Sequence, residues 1–293
     1  MSELFQKVKR SLIVLLSMVY WGTCSVTARV QRLMAVRQRP RCFVLYYHGV
    51  SDAQRARFRR QVAHLQSNAS VVPLADGCQW TQANRHVGLT FDDGLASVAK
   101  NVVPVLMEYR LPATLFVVSG RLGQRVSWKT EPGCEESGQR LLTRRALCRL
   151  PYPQFDVGSH TVTHVDLAKA DTQRATQELT RSKEQLEALL GRPVRSVSFP
   201  YGNYDKRVVQ LARHAGYARI VTCEPRGSTS SNGVIGRFRT SPDDWMIEFR
   251  LKVVGAYSWL YYAQRMKRAG CRLLQCMRPL RKRSRTHVPA SAA

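Results

Sequence analysis

Between residues 42 and 222 short apolar runs alternate with longer amphipathic ones, and few folds accept that pattern. Residues 42–47, 87–91, 113–118, 155–158, 196–199 and 219–222 read as buried strands, the first three of them near-continuous apolar runs. Residues 54–66, 96–109, 171–190 and 205–214 carry helical spacing, and Gly191 with Pro193 stops the longest of them. Strands that are apolar on both faces and joined by helices belong to parallel sheets covered by those helices. The alternation therefore predicts a barrel-like α/β domain whose chemistry lies at the C-terminal strand ends. No internal repeat or low-complexity linker interrupts it.

Polar residues fall at those ends. Asp92 and Asp93 follow the second strand, His160 and His164 follow the fourth, and Tyr201 follows the fifth. Side chains of adjacent residues diverge, so one of two neighbouring carboxylates can bind a metal while the other takes a proton. Histidines four apart share one face of a helical turn, close enough to reach one ion. One carboxylate and two neutral imidazoles leave an open coordination position, as catalysis by a metal-activated water requires. These residues imply hydrolysis of an amide or ester.

Thr90-Phe91-Asp92-Asp93-Gly94, His160-Thr161-Val162-Thr163-His164 and Phe199-Pro200-Tyr201-Gly202 occur together in this order. At these residues, and over roughly residues 40–240, the chain resembles the polysaccharide deacetylases with a NodB homology domain, carbohydrate esterase family 4. The resemblance implies an irregular (β/α) barrel, seven-stranded, with Asp92 as general base and Asp93, His160 and His164 as metal ligands. The ion would be divalent, typically Zn2+, with Co2+ or Ni2+ as alternatives. It implies that the Tyr201 backbone N–H helps to hold the oxyanion, with Pro200 and Gly202 beside the substrate. Ser198 stands where many members carry the arginine that orients the base, and the family's Leu-x-His acid motif is absent. Among His48, His214 and His287, His48 in Tyr46-Tyr47-His48-Gly49-Val50 follows a strand and takes the active-site role. The implied substrate is an acetylated glycan, N-acetylated before O-acetylated. A non-catalytic glycan- or membrane-binding module on the same scaffold is the alternative reading.

Charge speaks to partners. Lys and Arg number 46 against 20 Asp and Glu, a formal +26. The basic residues crowd both ends: Lys7, Lys9, Arg10 and Arg29–Arg41 at one, Arg265–Arg285 at the other. Nothing resembles a nucleic-acid recognition motif, so an anionic membrane surface is the expected partner and nucleic acid is not. Residues 11–28 carry no charge and would span roughly 27 Å as a helix, against a hydrocarbon core of ~30 Å. An anchor, a cleaved secretory signal and an interfacial helix all fit, with either face of the membrane open. The eight cysteines form no CxxC pair, which excludes zinc ribbons and favours lone thiols. Residues 123–138 read as an inserted loop, and 243–266 as one aromatic-rich helix. Three parts follow: a membrane-associated segment (1–40), a catalytic domain (41–242) and an aromatic helix with a basic tail (243–293).

Overall fold

The structure is a computed structural model that describes residues 3–34, 42–74, 86–128, 137–227 and 233–276. The basic tail beyond 276, His287, Cys78 and Cys134 lie outside the described residues. Among the described residues nine strands form one parallel sheet: β1 (Cys42–Tyr47), β2 (Ser70–Val71), β3 (His86–Phe91), β4 (Ala113–Val117), β5 (Phe155–Ser159), β6 (Ser196–Ser198), β7 (Arg219–Val221), β8 (Val234–Ile235) and β9 (Arg237–Arg239). They run in the order β8-β7-β6-β5-β4-β3-β1-β9, with β2 beside β3.

The expected count of seven becomes nine for two local reasons. β2 pairs with His86 and Val87 at the start of β3, while β4 pairs with Thr90 and Phe91 at its end, so the two share one flank. β8 and β9 are separated only by Gly236, yet β8 pairs with β7 and β9 with β1. One stretch of chain thus continues both edges of the sheet. A side chain at position 236 would come within 2.6 Å of the Glu224 carbonyl oxygen, so the transfer between edges needs glycine.

Side chains on β1 alternate as a strand must. Cys42 and Val44 join Leu74, Phe116, Val221 and Ile235 in an inner cluster, while Leu45 and Tyr47 pack outward under the helices. The covering helices include α2 (Arg55–Asn68), α3 (Val103–Glu108), α4 (Arg144–Cys148), α5 (Thr172–Leu190) and α6 (Lys206–His214). The helix expected over 96–109 is a π-helical turn, Val98–Val102, that passes into α3. Pro104 explains the change, because its ring would collide with the carbonyl four residues earlier in a regular helix. α5 begins where Asp171 accepts a hydrogen bond from the Arg174 N–H and ends at Gly191 with φ 65°.

The single helix expected over 243–266 is also broken. α7 (Met246–Val253) ends at Gly255, and α8 (Trp259–Cys276) begins after a short 3-10 turn. Gly255 has φ 73°, and a Cβ there would lie 2.1 Å from the Phe43 ring, so the backbone turns against β1. Phe249, Val253 and Tyr257 are buried while Trp245 and Tyr262 are exposed.

The N-terminal helix, α1 (Glu3–Leu33), is seated on this part of the fold. Val14 and Ser17 are buried, Arg10 Nε donates to Glu248 at 2.8 Å, and Trp259 Nε1 donates to Ser17 Oγ at 2.9 Å. Lys252, itself buried, bridges Asp244 at 2.7 Å and Glu248 at 3.0 Å. By length and composition residues 4–31 of α1 could cross a membrane or serve as a signal sequence. Cys24, Cys42, Cys148 and Cys223 are free thiols.

Candidate active site

Asp93 sits just past β3 with φ 69°, and Gly94 follows at 71°. Left-handed geometry is costly for an aspartate, and it persists where surrounding structure enforces it. Here a Cβ on Gly94 would lie 2.8 Å from Val117, so the turn is pressed against β4. The turn aims the two neighbouring carboxylates apart. Asp93 Oδ1 meets His160 Nε2 at 3.4 Å and His164 Nε2 at 3.2 Å, while Asp92 faces Arg237.

The Asp93, His160 and His164 ligand atoms lie within 4.8 Å of one another, and all three residues are buried. Asp93 Oδ1 makes no hydrogen bond, although it is buried. His160 Nδ1 lies 2.7 Å from the Ser198 carbonyl, which fixes its proton there and turns the Nε2 lone pair toward Asp93. An orphaned carboxylate oxygen facing two imidazole nitrogens, one oriented by a backbone carbonyl, fits a divalent cation.

The histidines reach this arrangement by a route the sequence did not suggest. The expected helical turn is absent: residues 160–164 form a loop in which Thr161 and His164 are left-handed, at φ 66° and 63°. Glu178 of α5, buried, holds the loop. Its carboxylate accepts from the N–H groups of Val162 and Thr163 at 2.8 and 2.9 Å and from Thr163 Oγ1 at 2.7 Å. Thr161 Oγ1 accepts from the His164 N–H at 3.0 Å. Side chains thus satisfy the backbone groups that a helix would have paired within itself.

Asp92 is held by Arg237 of β9. The guanidinium donates to both carboxylate oxygens, Nη1 to Oδ1 at 2.7 Å and Nη2 to Oδ2 at 2.8 Å. It also donates to Thr90 Oγ1 at 3.0 Å and Ser198 Oγ at 2.8 Å. The arginine expected at position 198 is therefore supplied from another strand, and Ser198 serves as one of its acceptors. Burial alone would raise the Asp92 carboxyl, but Arg237 and His160 together hold it below the usual carboxylate range. Burial likewise works against the Asp93 carboxylate, and the two histidines overcome it, lowering its pKa. The imidazoles separate. Burial depresses both, yet Asp93, Asp92 and the Ser198 carbonyl carry His160 above its ordinary value, whereas His164 stays below it.

Pro200, Tyr201 and Gly202 form a 3-10 turn after β6, with Tyr201 at φ 60° and Gly202 at 67°. A Cβ on Gly202 would strike Cys223 at 2.7 Å. The Tyr201 ring stands edge-on to His164 with centroids 4.7 Å apart. Trp128 stacks on the same imidazole, 4.3 Å from the His164 ring at an interplanar angle of 16°. It comes from the inserted loop, of which residues 129–136 lie outside the described residues. His48 follows β1 beside Tyr46, with ring centroids 5.8 Å apart. His214 is the last residue of α6.

Arg237, Glu178 and Trp128 are the residues that motif reading missed. Arg237 had a signal: in Arg237-Phe238-Arg239 strand alternation sets both arginines on the face opposite the core aromatic, and Arg237 is the one that is buried.

A parallel α/β sheet with two carboxylates and two imidazoles past its C-terminal strand ends, backed by a buried arginine from β9, has the architecture and donor set of a hydrolase whose site fits a divalent cation. Its family is narrower. Residues 80–220 match the family model for polysaccharide deacetylase, and this chain carries a domain of that family. YxkH of Bacillus subtilis (strain 168), named for polysaccharide deacetylation, is 24% identical over 212 residues, covering 68% of this chain and 71% of the relative. A chitooligosaccharide deacetylase of Sinorhizobium fredii is 31% identical over 138 residues, 46% of this chain and 55% of that protein. The chain thus spans about half the length of the latter. The solved structure of IcaB from Ammonifex degensii shares the fold, with a TM-score of 0.62 at 22% identity, over 74% of this chain and 98% of that one.

Proposed function

We propose that this chain is a metal-dependent deacetylase that hydrolyses the acetamido group of N-acetylated sugars in a glycan, with O-acetyl esters as lesser substrates. The observation that carries the reading is the division of labour between neighbouring carboxylates, Asp92 on Arg237 and Asp93 on His160 and His164. Names of relatives support the substrate class, since the Sinorhizobium protein is called a chitooligosaccharide deacetylase.

Asp93, His160 and His164 would hold the ion, with Zn2+ first and Co2+ or Ni2+ as alternatives given two imidazoles and one carboxylate. When bound, such an ion supplies Lewis-acid polarisation of the acetyl carbonyl and a more acidic water. Asp92 accepts the proton of the attacking water. Arg237 keeps that carboxylate ionised and fixes its plane, so the base is ready near neutral pH. The Tyr201 backbone N–H, presented by the left-handed turn between Pro200 and Gly202, donates to the developing oxyanion. His48 returns a proton to the leaving amine, with Tyr46 packed against its ring. Trp128 and Tyr201 flank His164 as apolar walls against which a sugar ring can lie.

We assign the catalytic domain to residues 41–242 and attachment to an anionic membrane surface to the flanks, 1–40 and 243–293. The apolar length of α1 and the formal charge of +26 support that assignment.

The deciding experiment measures acetate release from N-acetylglucosamine oligomers and O-acetylated glycans, with chelated and metal-reloaded protein beside Asp92→Asn. Release that needs the ion and disappears in the variant supports the proposal. Release that survives Asp92→Asn refutes it.

A further inference from the structure

α1 has two faces. One is the seated stripe of Arg10, Val14 and Ser17. The other carries Phe5, Val8, Leu12, Leu15, Val19 and Val26, spaced by three, four or seven residues and each 53–62% exposed. Single exposed apolar residues are ordinary, but a continuous apolar stripe along a long helix marks an interaction surface.

We infer that α1 lies in the plane of an anionic phospholipid bilayer, seated face on the domain and apolar face in the lipid, and does not cross it. The inference rests on the membrane attachment proposed above and specifies its geometry. A crossing helix needs about twenty residues surrounded by hydrocarbon. Any such stretch drawn from α1 includes Val14 or Ser17, and the uncharged run 11–28 includes both. Crossing would bring the aqueous face of the domain into lipid or break the Arg10–Glu248 and Trp259–Ser17 contacts. Lying flat keeps both contacts and immerses only the exposed stripe.

Charge selects the lipid. Lys7 and Lys9 precede the uncharged run and Arg29 follows it, in a chain of formal charge +26. Basic residues beside an apolar stripe complement an anionic surface. A second copy of the chain is a poorer occupant. The seam begun by Phe5, Val8, Leu12, Leu15 and Val19 continues through Gly22 and Arg29 at heptad spacing, and neither packs a coiled coil.

The geometry reaches the site. Gln6, Lys9 and Ile13 of α1 form one wall of a cavity of about 660 Å3, whose other walls include Tyr46, Cys223 and Arg237. Arg237 is the partner of the base. A helix lying on the bilayer therefore holds this cavity beside the headgroups.

The test is flotation of the full chain with vesicles of phosphatidylcholine alone or mixed with phosphatidylglycerol, followed by alkaline carbonate extraction. The in-plane helix predicts binding that rises with phosphatidylglycerol and release by carbonate. A Leu12→Glu, Leu15→Glu, Val19→Glu variant should lose at least about tenfold in vesicle binding with an unchanged melting temperature, since all three side chains are exposed. Retention through carbonate would overturn the in-plane geometry while leaving attachment standing. Equal binding by the triple variant would overturn the role of the stripe. Failure to bind either vesicle would overturn attachment and this inference together. A dimer in solution that the triple variant dissolves, without vesicle binding, would assign the stripe to a second copy and overturn the inference. None of these outcomes depends on acetate release.

Discussion

Replacing Arg237 with methionine removes the cation beside Asp92 at similar side-chain length and leaves the carboxylate buried. Arg237 and Asp92 are 0% and 4% exposed, so solvent cannot take over the two hydrogen bonds at 2.7 and 2.8 Å. Breaking a buried pair from one side costs about 3–5 kcal/mol. A second estimate comes from protonation, which gives the stranded carboxylate a way out. Protonating it at pH 7 from an ordinary pKa near 3.9 costs roughly 4 kcal/mol, and at pH 5 about 1.5 kcal/mol. In the unaltered protein the Asp92 pKa is depressed, so its stabilisation is present above the unfolded-state value and is lost as pH falls through the folded one. In Arg237→Met burial prevails and the folded pKa rises, so the sign reverses. The penalty is greatest at neutral pH and shrinks toward acid. Urea unfolding of metal-free protein at pH 5, 6 and 7 should show Arg237→Met destabilised by about 4 kcal/mol at pH 7 and by about 2–3 kcal/mol less at pH 5. The lost bonds to Thr90 and Ser198 add a pH-independent part. Adding Asp92→Asn to Arg237→Met should remove the pH dependence. A penalty under about 1 kcal/mol at pH 7, or one that does not vary with pH, would refute the assignment of Arg237 as the counter-charge.

Asp92→Asn should bind a divalent ion with little change by calorimetry while acetate release falls about 10²–10⁴-fold, as for loss of a general base. Glu178→Ala frees the N–H groups of Val162 and Thr163 beside the two histidines, and metal affinity measured by competition with a chelator should drop about 10–100-fold. Gly202→Ala places a Cβ 2.7 Å from Cys223 at φ 67°, and a fall in stability of about 1–3 kcal/mol should follow in urea. Removing metal from the unaltered protein with a chelator should lower its melting temperature, because ion binding favours the folded state.

The parallel α/β architecture was legible because its strands are buried on both faces, so runs such as Val87–Phe91 stand out without alternation. The two-residue strands at Ser70–Val71 and Val234–Ile235 were not legible, being too short to leave a pattern. Asp93, His160 and His164 stood out because each lies in a short local motif, and the structure brings their ligand atoms within 4.8 Å of one another, while Asp92 turns to Arg237. Their local conformation was misjudged. Spacing of four suggested a helical turn, whereas Glu178 and two left-handed residues build the loop from contacts distant in sequence. Arg237 was missed for the same reason: it lies 145 residues from Asp92, and no local pattern records that they meet.

Gly236 and the strands it separates also set how much of the chain the Asp92–Arg237 pair requires. Residues 80–220, the extent of the family match, contain both aspartates, both histidines and Tyr201. They omit β1 and His48 at one end and Arg237 at the other. An excised piece with those limits would keep Asp93, His160 and His164 and still leave Asp92 without Arg237, with neither edge of the sheet continued. The Asp92–Arg237 pair needs the chain from β1 to β9, and a nascent chain acquires it only after that last strand has been made.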